Sequence, residues 1–395
     1  MITDECEHMN NKALAAIAVV VIIIVAAAAA VVMTKDKGDN PAPTGDSITV
    51  TDSSGREVMV DLPVSKVAIT DPTLVEIFAM AVGEGWENYV CLLPEDIKTR
   101  EPAKWDLLQK TYPKLADVPL CKEIFGNQAI PSEKILEATP DLVLLPGATI
   151  KYLPNVNKQV ESLEKAGIPC LNLEFYDLSF TDGIAESNYG IIGDIMGTSE
   201  TADRVVDYYE RMVKQAKDRI ATSDRQFSYY VEIPQNNPAM YGNVVAMGCP
   251  EFNILGGKNI CDNRAGVDME WNIEKMQNPT ERGPDYIVMI SSGYYGADAT
   301  LGYGVHLSNE EMAKDLAQYT SRVGWDTLQA VESGNVMLNY GELRNSVYGL
   351  VDLYSVAMMI HPDLFTQKDL DGIIETLDSM TPYGFDGTWS YRMGA

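Results

Sequence analysis

The chain has 395 residues, more than one hydrophobic core usually serves, so at least two lobes are expected. Apolar residues make up 46%, an ordinary share for a globular body, and the formal net charge is −27. That acid excess speaks against nucleic acid as a partner, because phosphates are met by Lys and Arg that displace counterions; it reads as a well-solvated acidic surface.

The first element is an uninterrupted apolar run of 21 residues, Ala13 to Met33, preceded by Lys12 and followed by Lys35 and Lys37. At about 1.5 Å per residue such a helix just spans a bilayer core. The run is longer than a usual signal-peptide apolar region, although its Ala-rich end offers small-residue cleavage sites. Asp4, Glu5 and Glu7 are unusual in a leader, and a start at Met9 would give a basic lead; N-terminal sequencing that finds Ile2 rejects this. Residues 1–34 are therefore expected to be a signal or membrane anchor, and the polar, Pro- and Gly-containing segment 35–47 a tether. Of the cysteines, Cys249 and Cys261 are close enough in sequence to bridge, and the lack of a CxxC pair gives no support to a zinc ribbon or thioredoxin-type site.

In the body, Ile48–Thr51 and Arg56–Val60 alternate around "DSSG" and predict a hairpin. "KVAIT" at Lys66–Thr70 predicts a strand, and "LVEIFAMAVG" from Leu74 a helix that stops at Gly83. Ser132 can cap a helix holding Ile135 and Leu136, which Pro140 ends before the strand "DLVLL". "VNKQVESLEKAG" predicts another helix, closed at Gly167, and "IPCLNLE" another strand. Strands alternating with helices predict an α/β fold with parallel pairing. From Thr198 the pattern changes to about 24 residues without Gly or Pro, with Val205, Tyr209, Met212, Val213, Ala216 and Ile220 at helical spacing and Thr198 or Ser199 as cap. The α/β rhythm then restarts with "FSYYVEIP", a helix near Pro250–Leu255, "IEKM", "DYIVMI", a helix around Asn309–Tyr319 and "NVMLN". The expected organisation is an α/β lobe over 48–197, a linking helix over 198–223 and a second α/β lobe over 224–395.

One phrase occurs in both lobes. "SEKILEATPDLVLL" and "IEKMQNPTERGPDYIVMI" each place Glu-Lys in a first turn and Pro-Asp before an inner strand. Glu133 follows Ser132, and Glu274 follows Asn272, which can cap. An acid in a first turn gains about 0.3–1 kcal/mol from the helix dipole. Two such acids at equivalent places also suit a partner with two-fold symmetry.

The order of the tether, "ITVTDSSGREVMV", "KVAIT", "SEKILEATPDLVLL", a long linking helix, "LGGKNI", "VDMEWNIEKM" and "HPDLF" resembles the substrate-binding proteins of ABC importers for iron–siderophore complexes, haem and cobalamin, from Ile48 to about Leu377. The resemblance implies two Rossmann-like lobes joined by one rigid helix, with the ligand in the cleft between them. It implies an extracytoplasmic monomer, anchored or secreted, that delivers a chelated metal to an ABC permease dimer with its ATPase subunits. It also implies that Glu133 and Glu274 dock on that permease. No catalytic residue, cofactor or directly bound metal is expected. Ferric iron is the first expectation for the chelate, with cobalamin or haem as alternatives.

In open parallel sheets ligands meet the loops at the carboxyl ends of strands. Those loops supply Pro72, Thr73, Gly147 and Tyr176 in the first lobe, and Tyr241, Tyr294, Tyr295, Tyr303, Tyr340 and Arg344 in the second, and Trp271 is a further ligand-binding candidate. Tyr offers a flat face, a hydroxyl and, as phenolate, a hard oxygen ligand for ferric iron. Arg344 suits an anionic chelate. The resemblance puts Tyr241, Tyr340 and Arg344 at ligand-touching positions. Direct binding of a free divalent metal fits poorly with only His8, His306 and His361. A hydrolase using paired carboxylates and a surface structural protein remain as other classes; HExxH, GxSxG and phosphate-loop motifs are lacking.

Overall fold

The structure is a computed structural model that describes residues 46–394, apart from 123, 128, 148–149, 151–152, 154, 176–179, 235–240, 242, 246–249, 262–266, 269–270, 278–281 and 292–300. The chain begins with an antiparallel hairpin of β1 (Ser47–Thr51) and β2 (Glu57–Asp61). Its turn is fastened by the buried Asp52 carboxylate, which accepts from the Ser54 and Arg56 amides at 2.9 and 3.0 Å.

A five-stranded parallel sheet follows, ordered β5-β4-β3-β6-β7, from β3 (Val67–Ile69), β4 (Val90–Pro94), β5 (Leu120–Cys121), β6 (Leu142–Pro146) and β7 (Cys170–Leu173). Both faces are covered, so its strands read as continuous apolar runs. Ala68, Leu92, Val143, Leu145 and Cys170 face one buried cluster, shared with Ile135, Val160 and Leu163 of helices Ser132–Ala138 and Val156–Lys165. Val67, Ile69, Leu142, Leu144 and Leu171 face the other, shared with helix α1 (Pro72–Val82). Each fully buried Leu or Phe there contributes about 1.5–3 kcal/mol. Asp71 caps α1 by accepting from the Thr73 amide at 2.8 Å, Pro72 presets the first turn, and Gly83 at φ 80° ends it.

Helix α2 (Pro102–Thr111) lies between β4 and β5. Helix α3 (Ser199–Ile220) carries the chain from the first sheet to the second. Its 22 residues make it about 33 Å long. It buries Ala202, Val205, Tyr209, Val213 and Ala216 and packs on both α1 and helix α4 (Gly349–Ile360). Met212 and Ile220, expected on the same face, are only half-buried.

The second sheet has seven strands. Its centre is β8 (Phe227–Ile233), β12 (Tyr286–Ser291) and β14 (Val336–Tyr340), all parallel, with β10 (Gly257–Asn259) parallel to β8. Antiparallel strands complete it: β9 (Asn243–Val245) and β11 (Val267–Asp268) beyond β8, and β16 (Ser390–Arg392) beyond β14. A small ribbon pairs β13 (Gly302–Tyr303) with β15 (Gly387–Thr388). All the described residues belong to one compact unit, Gly45–Ala395.

Several local expectations are corrected. Ser132 is not a cap: it opens its helix, and its hydroxyl turns back to the Ile130 carbonyl at 3.4 Å. Leu136 of that helix is exposed. Neither Thr198 nor Ser199 caps α3, because their hydroxyls donate to Ala81 O at 2.9 Å and Asp194 at 2.8 Å. Asn272 does cap its helix, accepting from the Lys275 amide at 2.9 Å. Among the described residues no helix is long and apolar enough to cross a membrane; the run 13–33 lies outside them, as does Cys249.

Candidate ligand site between the sheets

The carboxyl ends of β3 and β4 meet the carboxyl end of β14 through one guanidinium. Arg100, at the end of a short turn of helix after β4, reaches Asp96 at 3.1 Å and Asp71 at 3.9 Å in its own half, and Glu342 after β14 at 3.2 Å. The surplus of carboxylates raises the Arg100 pKa further despite burial, so this cation is permanent.

Behind it lies a fully buried ion cluster. Lys104 of α2 contacts Glu76 of α1 and pairs with Glu101 at 3.1 Å. Two phenols from the second half close over it: Tyr303 donates to Glu76 at 3.4 Å and Tyr340 to Glu101 at 3.3 Å. The Lys104 ammonium also sits 5.4 Å from the centre of the Tyr303 ring. One ammonium thus serves two carboxylates. Burial pushes Glu76 up to about 7; Lys104 opposes the rise and Glu101 adds to it. Burial alone would lower Lys104, yet Glu101 and Glu76 raise it, so the ammonium stays charged. Tyr303 in turn packs on Tyr348, Tyr383, Phe385 and Trp389 at centroid distances of 5.0–6.5 Å.

The candidate residues from the sequence are dispersed around this seam. Pro72 is buried in the first turn of α1 beside Asp71, and Thr73 is half-buried. Gly147 is buried where β6 meets the residue after β7. A Cβ there would stand 2.3 Å from the Glu174 Cβ, so only glycine fits. Tyr340 is in the seam as a donor to Glu101 at 3.3 Å: burial first, then Glu101, Glu342 and Glu76 hold its phenol well above the usual range. Tyr176, Tyr294 and Tyr295 lie outside the described residues.

Tyr241 and Trp271 come together elsewhere, around a second buried pair. At the carboxyl end of β8, Glu232 takes both arms of Arg322 at 2.8 and 2.9 Å and accepts from Tyr230 at 2.8 Å. Arg322 lies 4.9 Å from the Tyr241 and Trp325 rings, Trp325 donates to the Tyr241 hydroxyl at 2.9 Å, and Trp271 packs on Tyr230 at 5.7 Å.

Arg344 is placed differently from the sequence expectation. It is buried within the second half, where it pairs with Glu251 and, at 3.0 Å, with Asp352. Glu133 and Glu274 are exposed in the first turns of Ser132–Ala138 and Ile273–Gln277.

Sequence reasoning missed Arg100, Lys104, Glu76, Glu101 and Glu342. The available signal was "PEDIKTREPAKW" directly after β4, a dense charge run at a strand's carboxyl end. Among the described residues no group of His, Cys, Asp and Glu is arranged to hold a metal ion.

No protein-family model matches the chain, and no curated protein matches its sequence. Solved structures do match its fold. The TroA-like periplasmic binding protein FepB of Veillonella parvula superposes with a TM-score of 0.75 at 20% identity, over 88% of this chain and 100% of its own. The molybdate-bound periplasmic binding protein MolA of Haemophilus influenzae gives 0.59 at 14%, over 86% and 99%. The periplasmic vitamin B12 binding protein BtuF of Vibrio cholerae gives 0.52 at 16%, over 75% and 97%. The two parallel-centred sheets, the helix that passes between them and the seam at their carboxyl ends are therefore the fold of the periplasmic solute-binding proteins.

Proposed function

We propose that this chain is the extracytoplasmic solute-binding component of an ABC importer, which captures a small-molecule metal chelate and hands it to a permease dimer with its ATPase subunits. A ferric complex is the first candidate. The observation that carries the reading is the seam itself: two α/β sheets turn the carboxyl ends of their strands toward each other, where open α/β sheets receive ligands. Such a protein binds and releases, and no catalytic step is assigned to it.

The geometry supports a particular way of working. Helix α3 packs on both halves, and a helix cannot absorb the dihedral changes of a wide hinge, so opening is small. Separation would break the contacts of Tyr303 and Tyr340 with the first half and free the strand-end loops for ligand. Closure re-forms them around the cargo. The exposed carboxylates Glu133 and Glu274, one per half, are proposed to meet cationic groups on the two permease subunits.

The test is absorption spectroscopy with thermal shift on the full chain, against ferric siderophores, hemin, cobalamins and molybdate. The last two enter because BtuF and MolA share the fold. Binding of one ligand raises the melting temperature by several degrees at low micromolar concentration, since whatever binds the folded state stabilises it by mass action. Silence from every ligand rejects the chelate reading and leaves the fold standing.

A further inference from the structure

We infer that Leu136 and Val323 are apolar anchors by which the two halves seat on the permease dimer, one beside each exposed glutamate; this rests on the solute-binding reading above. Among the described residues three large apolar side chains stand exposed: Met59, Leu136 and Val323, the last at 94%. One exposed apolar side chain is ordinary on any protein, so position decides. Leu136 is three residues after Glu133 in helix Ser132–Ala138, which makes the two neighbours on the helix surface, while Ile135 is fully buried. Val323 precedes Gly324, and a Cβ at Gly324 would stand 3.0 Å from Cγ1 of Ile273, the residue before Glu274. Two of the three therefore lie beside the two exposed acids already singled out.

The two patches are built from different sequence. In the second half the position equivalent to Leu136 is Gln277, which donates to Thr327 at 2.9 Å. The apolar group there comes instead from the segment that Gln277 holds, with half-buried Ile273 next to it. An exposed acid beside an exposed aliphatic group thus occurs in both halves without a shared motif to explain it. Both side chains stand on firm supports. Arg322, before Val323, is buried against Glu232, and Trp325, two residues after it, is fully buried. A partner therefore meets a side chain that is already held in place. The surroundings are polar: Lys134 and Glu137 pair at 2.8 Å beside Leu136, and Ser321, Asp326 and Thr327 are exposed around Val323. A small apolar centre within a polar rim is the make-up of a protein–protein contact. The carboxylates select a surface that carries cations, but an exposed ion pair adds little grip. Leu136 and Val323 supply the water-free contact that holds it. The occupant these features fit is a pair of like subunits, each presenting an apolar seat beside a basic side chain.

The experiment is photo-crosslinking of the full chain in the cells that produce it. A diazirine side chain replaces Glu137 in one strain and Asp326 in another, so that each reporter stands beside one anchor and both anchors remain. Joined peptides are identified by mass spectrometry. Both reporters are expected to join the membrane subunit of an ABC importer. Leu136→Ser with Val323→Ser is expected to lower the yield at both about tenfold, while Leu136→Met with Val323→Ile keeps it and Met59→Ser leaves it unchanged. The purified serine variant is expected to keep its unfolding midpoint. A lowered midpoint would assign the two side chains to folding and overturn the inference. A yield that the serine pair does not change also overturns it and leaves the solute-binding reading standing, because the reporters still find the permease. Joining to a second copy of this chain overturns it in favour of self-association. No joining to a permease subunit from either reporter overturns both the anchors and the importer reading.

Discussion

Two buried ion clusters in this protein share one charge pattern and have different jobs. In one, Lys104 serves Glu76 and Glu101; in the other, Arg344 serves Glu251 and Asp352. Each gives one cation two carboxylates, and in each burial lifts one acid, Glu76 to about 7 and Glu251 to about 8. The difference lies in what closes them. Phenols from the opposite half cover the first. In the second, both carboxylates come from the same half as Arg344, and the Asn339 amide donates to Asp352. Separating the halves strips the phenols from the Lys104 cluster, whereas the two carboxylates that pair with Arg344 stay with it. The first cluster can therefore respond to opening, while the second is scaffold.

Removing each cation breaks the comparison most sharply. Arg344→Met leaves Glu251 and Asp352 buried without a partner and is expected to cost about 3–5 kcal/mol, read as a lowered unfolding midpoint in denaturant. Lys104→Met costs the same order in the closed form, but part is recovered if the seam opens and water reaches Glu76 and Glu101. Its scattering radius should grow, and that of Arg344→Met should not. Equal radii would remove the distinction between the clusters.

The next effect is on pH. Glu76 and Glu251 have folded pKa values above the ordinary 4.5, so the folded state holds protons that the unfolded chain has released. Stability therefore falls as pH rises from about 4.5 through 7 to 8 and levels off above, by about 3 kcal/mol for Glu76 and about 5 kcal/mol for Glu251 as upper bounds. Asp369 acts in the opposite sense. Its hydrogen bond from Arg219 holds it down to about 2, so its contribution is lost as pH falls below the ordinary 3.8. Denaturant titrations should find the most stable point near pH 5. Glu76→Gln and Glu251→Gln should each remove part of the slope, and a profile that rises from pH 5 to 8 would contradict both shifts.

A smaller effect tests the seam alone. Tyr303→Phe deletes one donor to Glu76 and is expected to cost about 1–2 kcal/mol. In double-mutant cycles it should couple with Lys104→Met and add independently to Arg344→Met. Coupling of equal size in both cycles would mean that the clusters are one network.

What could be read from sequence follows how local each interaction is. Gly83 at the end of α1 and the helical period of α3 involve neighbours in the chain, and the structure has them as the pattern predicts, although α1 starts two residues before Leu74, at Pro72. Caps were less legible where a hydroxyl had a choice, since Thr198 donates to Ala81, 117 residues away in sequence. Arg344 looked like an anion receptor because its partner Glu251 is 93 residues distant and invisible to any local pattern. The seam was half legible. The strand-end rule pointed to Pro72 and Thr73 beside Asp71 and to Tyr340, but β4 was not read as a strand, and its charged loop with Arg100 and Lys104 went with it. Tyrosines were read as ligand groups from their chemistry, their place at strand ends and, for Tyr241 and Tyr340, the resemblance. For Tyr340 the decisive fact is a carboxylate 239 residues earlier.

The smallest expected effect on stability belongs to the residues with the largest expected effect on transport. Glu133 and Glu274 are exposed and touch neither cluster, so Glu133→Lys with Glu274→Lys should shift unfolding by no more than about 0.5 kcal/mol. Their only local role is a favourable place near a helix start, worth tenths of a kcal/mol. If they meet cations on two permease subunits, reversing both puts like charges in contact at each half. Uptake by whole cells should then stop while the purified variant binds its chelate as tightly as before. Each single reversal should act partially, because one half still docks. Loss of chelate affinity would place these glutamates in the ligand cleft, and uptake unchanged by the double reversal would remove them from docking altogether.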